Sequence, residues 1–420
     1  MKNLLLVFFL LSSLIVLSQS TVPVYRINPR QTNGGNISAY FSDIEYIPLE
    51  TSKESIFGDI QMLKVTDSSF IIRDQDTKSV LFFNQQGKFL RRIGPHHGEA
   101  PYFNYNETNK VVKVVYSGKN KLSPDTKILT VKYHNFTTGG NALDTTDEII
   151  KIEIPVAKIN LSPDYSFTPI SCTYKMETGP QDTTIYLINI LKGDSLFKRL
   201  IPYNQKEKMA FCYISGSMWM DSNSYTIIDG QTYLATPVEN YVYKLTKDSA
   251  VRICEIVFPK DVAISKEFLK LKDVKSLDSV IKVPVSVGIM NGISNIFFKG
   301  SKMFFKGVAP AYLSNISASS PQVYNFIYDT VSHKAVAIER LTSDAATFYL
   351  PAFDPRDGLM IKGLIYSRDN FYSYVSSLDM FNARNATKHR NPQYPPALQQ
   401  YFKTQNRKSN PVIVRMKLRE

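Results

Sequence analysis

The sequence is poor in the residues from which small reactive sites and covalent frameworks are built. It has five histidines, one tryptophan and only three cysteines, Cys172, Cys212 and Cys254. Three widely spaced cysteines exclude a disulfide framework and do not resemble a zinc site, so we expect small buried hydrophobes. No GxSxG, HExxH or phosphate-binding Gly-Lys-Ser/Thr motif occurs, and no local pattern nominates a pair of carboxylates. The sequence therefore predicts no catalytic residue, no metal site and no cofactor.

Long apolar runs are missing after the first twenty residues. No later segment has eighteen consecutive apolar residues, so a membrane-spanning helix is not expected. Residues 1–20 match a secretory signal peptide, because Lys2 precedes an apolar stretch that ends in the small residues Ser18 and Ser20. Cleavage is predicted after Ser20, and no lipoprotein cysteine follows. We expect an exported chain, periplasmic or secreted, in which residues 21–420 form one domain.

Long runs of one charge are also missing. The net charge of +13 comes from 50 lysines and arginines against 37 aspartates and glutamates, spread along the chain. The two densest basic stretches, 388–390 and 407–419, lack the interleaved aromatic residues of a base-stacking surface. Scattered lysines of a basic protein account for this charge better than an anionic partner does, and no nucleic-acid partner is expected.

Strand and turn signals recur along the whole chain. Hydrophobic residues make up 43% of the sequence, with 25 Tyr and 25 Phe, which is enough for a sizeable core. Two apolar strands flank a short polar turn at 79–94, 127–155, 184–202, 240–259 and 322–341, as in β-hairpins. Further strands precede several of these hairpins, so the repeating unit has about four strands, as a propeller blade has.

The pattern predicts an all-β fold, a six-bladed β-propeller with short helical insertions. A closed ring has no free edge, so we expect the last strand, 411–418, to complete the blade begun near Asp43 and to close the ring with strands from both termini. Apolar residues at helical spacing predict an amphipathic insertion over 261–281. A second short helix is predicted over 395–408, opened by two prolines.

Four stretches resemble a known family. They are DIEYIPLETS at 43–52, VLFFNQQGKFLRRIG at 80–94, TPVENYVYKLTKDSAVRICEIVFP at 236–259 and SNPVIVRMKLRE at 409–420. They are similar to the opening strand, first hairpin, a middle blade and the closing strand of the six-bladed β-propeller family of secreted and lipoprotein chains from the Bacteroidota, relatives of NHL-type propellers. The resemblance implies this fold, secretion and a binding role. The chain departs from the family's glycine-rich loop after the first hairpin, where Ala100 stands in place of a glycine.

The residues that look most functional lie in that loop: His96, His97, Glu99 and Tyr102. Adjacent residues on a strand point to opposite faces, so the two histidines are a poor metal pair, and an exposed ligand-binding loop is favoured. An aromatic ring at a strand end or on a loop, such as that of Tyr102, could stack on a sugar, although most such rings are expected to fill the core between blades.

The predicted function is an exported, non-catalytic binding or scaffold propeller. An unknown protein or glycan partner would bind on one face of the ring, and the chain would act as a monomer. The alternative is a propeller enzyme that acts on a glycan or another extracellular substrate. Such an enzyme would need carboxylates or histidines that converge at the channel mouth with perturbed pKa values.

Overall fold

The structure, a computed structural model, contains six sheets that form a ring. It describes residues 22–95, 101–106, 109–117, 128–151, 159–169, 184–204, 225–236, 239–263, 292–309, 322–354 and 364–419. Each sheet has four or five strands. The predicted six-bladed β-propeller is therefore confirmed.

The chain begins with three strands that belong to the last three blades: β1 (Val24–Arg26), β2 (Asn33–Asn36) and β3 (Phe41–Pro48). Blades one to three follow in chain order. Blade one has β4 (Met62–Val65), β5 (Ser69–Asp74), β6 (Ser79–Asn84) and β7 (Phe89–Ile93). Blade two has β8 (Tyr102–Asn106), β9 (Val111–Ser117), β10 (Ile128–Thr137) and β11 (Ala142–Lys151). Blade three has β12 (Ile159–Asn160), β13 (Tyr165–Pro169), β14 (Thr184–Lys192) and β15 (Ser195–Asn204).

Blades four to six complete the ring. Blade four has β16 (Tyr225–Ile228), β17 (Gln231–Ala235), β18 (Tyr241–Leu245) and β19 (Ala250–Val257). Blade five has β20 (Gly292–Lys299), β21 (Lys302–Ala309), β22 (Gln322–Asp329) and β23 (Ala335–Thr342). Blade six has β24 (Ile365–Ser367), β25 (Asn370–Val375) and β26 (Val412–Leu418). Strands β16 and β20, the first strands of the neighbouring blades four and five, contact each other. This contact indicates that first strands lie nearest the axis of the ring.

The core lies between neighbouring blades. Strands β5 and β6 are buried along almost their entire length, because each sheet is covered on both faces by other sheets. Phe297, Phe304 and Phe371 pack in the layer between blades five and six. Cys254 is a buried free thiol in blade four, and burial raises its pKa to about 12. Cys172 and Cys212 lie outside the described residues.

The two ends of the chain meet in blade six. Strand β3 pairs antiparallel with β26, from Pro48 opposite Val412 to Phe41 opposite Leu418. This pairing gives blade six its fourth, outermost strand. The predicted closure of the ring by N- and C-terminal strands is confirmed.

The pairing of the first two strands was not predicted from the sequence. Strand β1 pairs parallel with β19, and β2 pairs parallel with β23, as fifth strands on blades four and five. The segment VPVYRI at 22–27 has a strand pattern, but nothing local indicates its partner, and NGGN in β2 has no strand pattern. Gly34 is required by the close approach, because a Cβ there would lie 2.5 Å from the carbonyl oxygen of Arg340. The N-terminal segment thus covers three consecutive blade edges, which would otherwise be open to pairing with other chains.

Two α-helices lie between the second and third strands of blade six: α1 (Ser377–Thr387) and α2 (Pro396–Thr404). Helix α2 falls within the segment 395–408 and buries Leu398, Tyr401 and Phe402 against the core. Helix α1 was not predicted, because it buries little apolar surface and carries no clear apolar stripe. Of the predicted insertion over 261–281, only 261–263 is described, as a turn, and the rest lies outside the described residues.

The two ends of the ring differ. One end of the ring carries the turns that join first to second strands and third to fourth strands, including 66–68, 229–230, 300–301 and 368–369. We call this end the hairpin face. We call the connection face the opposite end, where second strands end, third strands begin and each blade passes to the next. Its described parts include 49–61, 75–78, 343–354 and 376–411.

Asn410 fastens the closing strand at the connection face. It is fully buried; its Nδ2 donates to the carbonyl oxygens of Glu50, at 2.7 Å, and Ser55, at 3.0 Å, and its Oδ1 accepts from Phe57 N. Asn410→Ala leaves the Phe57 nitrogen and the Ser55 carbonyl oxygen without partners, whereas the Glu50 carbonyl oxygen keeps its hydrogen bond from Ser55 Oγ. We therefore expect a loss of about 2–3 kcal/mol in the free energy of unfolding. Asn406→Ala, at an exposed position nearby, should lower the free energy of unfolding by only a few tenths of the loss expected for Asn410→Ala. Urea unfolding of both variants measures the difference, and equal stability would contradict the role assigned to Asn410.

Candidate functional site

The predicted ligand-binding loop is only partly described. His96, His97 and Glu99 lie outside the described residues, and their role stays a prediction. Tyr102 is described and begins β8, the first strand of blade two, at the connection face. Its side chain is exposed, with 55% of the residue surface accessible.

The aromatic ring of Tyr102 stacks on the guanidinium group of a buried arginine. The guanidinium carbon of Arg73 is 3.9 Å from the centre of the Tyr102 ring, although Arg73 is only 5% exposed. Its Nε donates to the carbonyl oxygen of Pro101 at 2.9 Å, and its other nitrogens donate to the side-chain oxygens of Gln61 and Gln75. A cation stacked on one face of the ring fixes its orientation and leaves an exposed aromatic surface. The position therefore suits contact with a ligand or a partner.

A second region of interest is a small cavity between blades five and six, also toward the connection face. Its volume is about 20 Å³, and its lining includes Phe297, Phe304, Lys306 and Leu364. This is space for about one water molecule, far less than the roughly 300–1,000 Å³ of a typical small-molecule pocket.

A row of polar side chains crosses blade five beside this cavity. Ser294 on β20 lies opposite Lys306 on β21, which lies opposite Asn325 on β22. Side chains of directly opposite residues share one face of a sheet, so these three are neighbours. Lys306 is 4% exposed and Ser294 is 7% exposed. Among the described residues, no group lies within hydrogen-bond distance of Ser294 Oγ.

Glu339 forms the outer end of the row. Its Oε1 accepts from the backbone nitrogen and from Nδ2 of Asn325, both at 2.8 Å. Although the residue as a whole is exposed, the protein around its carboxyl group removes water and raises the pKa; the Asn325 hydrogen bonds and the charge of Lys306 lower it less. The carboxyl group of Glu339 thus lies at the outer end of the row, beside Asn325 and away from Ser294.

The backbone next to the row is irregular. The β20–β21 register shifts between Ser294 and Phe297, and Asn295 has a positive φ of 47°. A bulge of this kind re-aims side chains and is common beside binding sites. The irregularity places Asn295 in the lining of the cavity.

The inner rim of the hairpin face carries ion pairs that link neighbouring blades. The pairs are Asp67 with Arg368, Asp67 with Lys110 at 3.5 Å, Lys299 with Asp369 at 2.6 Å, and Lys299 with Asp229 at 3.6 Å. The side chains are largely exposed, so each pair contributes little to stability. Asp229 and Asp369 approach each other here, but the hydrogen bond from Lys299 lowers the pKa of Asp369. This carboxyl group is therefore unsuited to act as a general acid.

In the described part of the chain, the His, Cys, Asp and Glu side chains form no group of three or more that could hold a metal ion. Neither α1 nor α2 has the length and apolar character needed to cross a bilayer.

The sequence does not predict the cavity, although it carries one signal. Lys306 interrupts the apolar segment KMFFKGV at 302–308. A lysine inside an otherwise apolar central strand indicates a buried charge. Its neighbour Ser294 is distant in sequence, so the pair becomes visible only when β20 and β21 are in register.

Comparisons with known proteins place the chain among propellers of the same architecture. Residues 21–417 match the profile of the family described as "Domain of unknown function (DUF4934)". A crystal structure of a Bacteroides fragilis NCTC 9343 protein, described as exported, has a TM-score of 0.58 at 11% identity, covering 95% of this chain and 100% of that chain. A DUF4221 family member from Bacteroides vulgatus ATCC 8482 has a TM-score of 0.40 at 10% identity, covering 90% of this chain and 99% of that chain. No curated protein matches the sequence.

At 11% identity, the solved structure with the TM-score of 0.58 supports the fold alone. The first solved structure is similar in architecture, and the second is too distant to carry an argument. The resemblance to six-bladed propellers of the Bacteroidota is confirmed in this coarser form. The relation to NHL-type propellers and the lipoprotein branch stays a prediction.

Two buried serines allow a direct test of the polar row. Ser373, 5% exposed, donates a hydrogen bond to the carbonyl oxygen of Ala352, whereas the hydroxyl of Ser294 has no such partner among the described residues. Ser373→Ala should lower the free energy of unfolding by about 1–2 kcal/mol, whereas Ser294→Ala should leave it unchanged or raise it by up to about 1 kcal/mol. Chemical unfolding measures both. A Ser294→Ala loss as large as that of Ser373→Ala would show that the Ser294 hydroxyl stabilises the fold.

Proposed function

Because the chain belongs to the DUF4934 family and is similar in architecture to a Bacteroides fragilis protein described as exported, we propose that it is an exported, non-catalytic binding propeller. Its ligand or protein partner binds on the connection face, and the chain acts as a monomer in the periplasm or outside the cell. Residues 1–20 serve as the signal peptide, with cleavage near Ser20. We include the loop residues His96, His97 and Glu99 with Tyr102 in the proposed ligand-binding set.

The exposed Tyr102 ring on the buried Arg73 is the observation that carries this proposal. Its aromatic face is accessible, and its orientation is fixed by a guanidinium that itself donates to Pro101, Gln61 and Gln75. A rigid aromatic side chain gives contact area at low cost in conformational entropy. The cavity beside Lys306 adds a second polar feature at the same face of the ring.

The alternative, an enzyme that acts on a glycan, would need an acid or base with a suitably shifted pKa. The approaching carboxylates of Asp229 and Asp369 lie on the hairpin face and are both bound to Lys299. The lowered pKa of Asp369 favours a structural role for this pair. A binding role is therefore the better supported function.

A pull-down tests the proposal. The chain from residue 21 onward is immobilised and exposed to an envelope extract of its source organism, and retained components are identified by mass spectrometry. We expect Tyr102→Ala to reduce retention of the main component at least tenfold, because the ring supplies a central contact. Tyr102→Phe keeps the ring and should retain binding.

The matched control is Leu143→Ala, since Leu143 is also exposed, at 54%, but begins β11 next to the hairpin face. It should retain the same component as the unmodified chain. Equal retention by Tyr102→Ala, or a loss with Leu143→Ala alone, would place the binding surface elsewhere and overturn the proposal.

A further inference from the structure

We propose that the outer edge of blade three, strand β15, is a docking surface for an extended, acidic segment of a partner protein, which pairs with β15 as a fifth strand. This surface lies on the circumference of the ring, so the inference goes beyond the proposed binding on the connection face. Addition of a peptide strand to an exposed sheet edge is a general mode of protein recognition.

The chain covers four blade edges with its own N-terminal segment. Strands β1 and β2 pair with the outermost strands of blades four and five, and β3 completes blade six. The segment after β3 contacts the edge of blade one, where the Glu50 carboxylate accepts a hydrogen bond from Phe89 N at 3.0 Å. In the described part of the chain, no strand pairs with the outer edge of β11 or β15. Blades two and three therefore keep an edge that can accept another strand.

The side chains of β15 are exposed over its first five residues, 195–199. Leu196 is 48% exposed and Phe197 is 44% exposed, although both are large apolar residues. Adjacent apolar side chains in an exposed edge strand mark a place where another chain can pair. Alternate residues of an antiparallel edge strand also direct their N–H and C=O groups outward, and these groups supply the hydrogen bonds of such a pairing.

Phe197 is positioned by its neighbours. Its ring packs edge-to-face on Tyr165, with 5.1 Å between the ring centres, and Lys247 Nζ lies 6.0 Å from the centre of the Phe197 ring. The β14–β15 register shifts beside Phe197, which has no direct partner on β14. A similar shift beside Ile253 in blade four does not prevent β1 from pairing with β19. The irregularity is therefore compatible with a fifth strand.

The charge of β15 favours an acidic partner over pairing with β15 of a second copy. The strand contains two cations, Lys198 and Arg199, and no aspartate or glutamate. Both cations are exposed and follow the apolar pair directly. They lie near the middle of the strand, so two antiparallel copies would bring like charges together, which is destabilising. Carboxylates on an incoming strand would instead lie beside these cations, and its apolar side chains would cover Leu196 and Phe197.

Fluorescence anisotropy with dye-labelled octapeptides tests the inference. The probe has four Glu-Val repeats, which supply carboxylates and apolar side chains on an extended chain. A Lys-Val octapeptide reverses the charge, and a Glu-Pro octapeptide keeps the charge but lacks the N–H of every second residue. We expect saturable binding of the Glu-Val probe to the chain from residue 21 onward. Both control peptides should bind about tenfold more weakly or less, because they lack the charge or the ladder of hydrogen bonds.

Substitutions on β15 locate the binding surface. Phe197→Ser and Lys198→Glu change exposed side chains, so the chain should stay folded, and each should weaken binding of the Glu-Val probe about tenfold. Leu90→Ser is the matched control, because Leu90 is 43% exposed on β7, the outermost strand of blade one. Lys334→Glu repeats the charge reversal at an exposed position in blade five. Both controls should bind the probe as the unmodified chain does.

The inference is overturned if the Glu-Val probe does not bind, if the Glu-Pro peptide binds as tightly, or if neither Phe197→Ser nor Lys198→Glu weakens binding. Analytical ultracentrifugation of the unmodified chain should show a monomer. A dimer that Phe197→Ser dissociates would assign the edge to a second copy and would also overturn the inference. The pull-down with Tyr102→Ala assesses the connection face independently of these results.

Discussion

The antiparallel pairing of β3 with β26 is the interaction on which the rest of the ring depends. Without it, blade six would have three strands and the ring would have two unpaired edges at its seam. Asn410 secures this seam from the side by bonding three backbone groups of the segment that leads into blade one. Because β1 and β2 lie on the outer edges of blades four and five, the same N-terminal segment also joins half of the ring. The layers between blades, including the cavity beside Lys306, exist only while this closure holds.

The two faces of the ring have different physical character. On the hairpin face the charged side chains of the inner rim pair with one another across blades, which leaves little unbalanced charge for a ligand. On the connection face, among the side chains that the structure describes, two blades carry a buried cation near the end of the second strand, Arg73 in blade one and Lys306 in blade five. The first orients an exposed tyrosine, and the second lies beside a cavity. Propeller strands supply the rigid frame, and the ends of those strands at this face position the groups that would bind a ligand.

Much of the fold could be predicted from the sequence because hairpins and turns are local. The turn around Gly87 and the apolar strand 79–84 give a clear signal within a short window. The closing pair was also predictable, since a ring needs strands from both termini in one blade. The strand at 33–36 was not, because NGGN has no strand pattern and forms only against Arg340 and its neighbours. The position of Ser294 opposite Lys306 follows from the register of β20 and β21, which no local pattern reveals.

The central claim is that binding takes place on the connection face. Hydrogen–deuterium exchange of the full chain, with and without the envelope component retained in the pull-down, tests it most directly. The account predicts slower exchange at strand ends on the connection face, in 101–106 and 292–296, and no change at the hairpin-face turns 229–230 and 300–301. Protection confined to the hairpin-face turns, with unchanged exchange in 101–106 and 292–296, would contradict it.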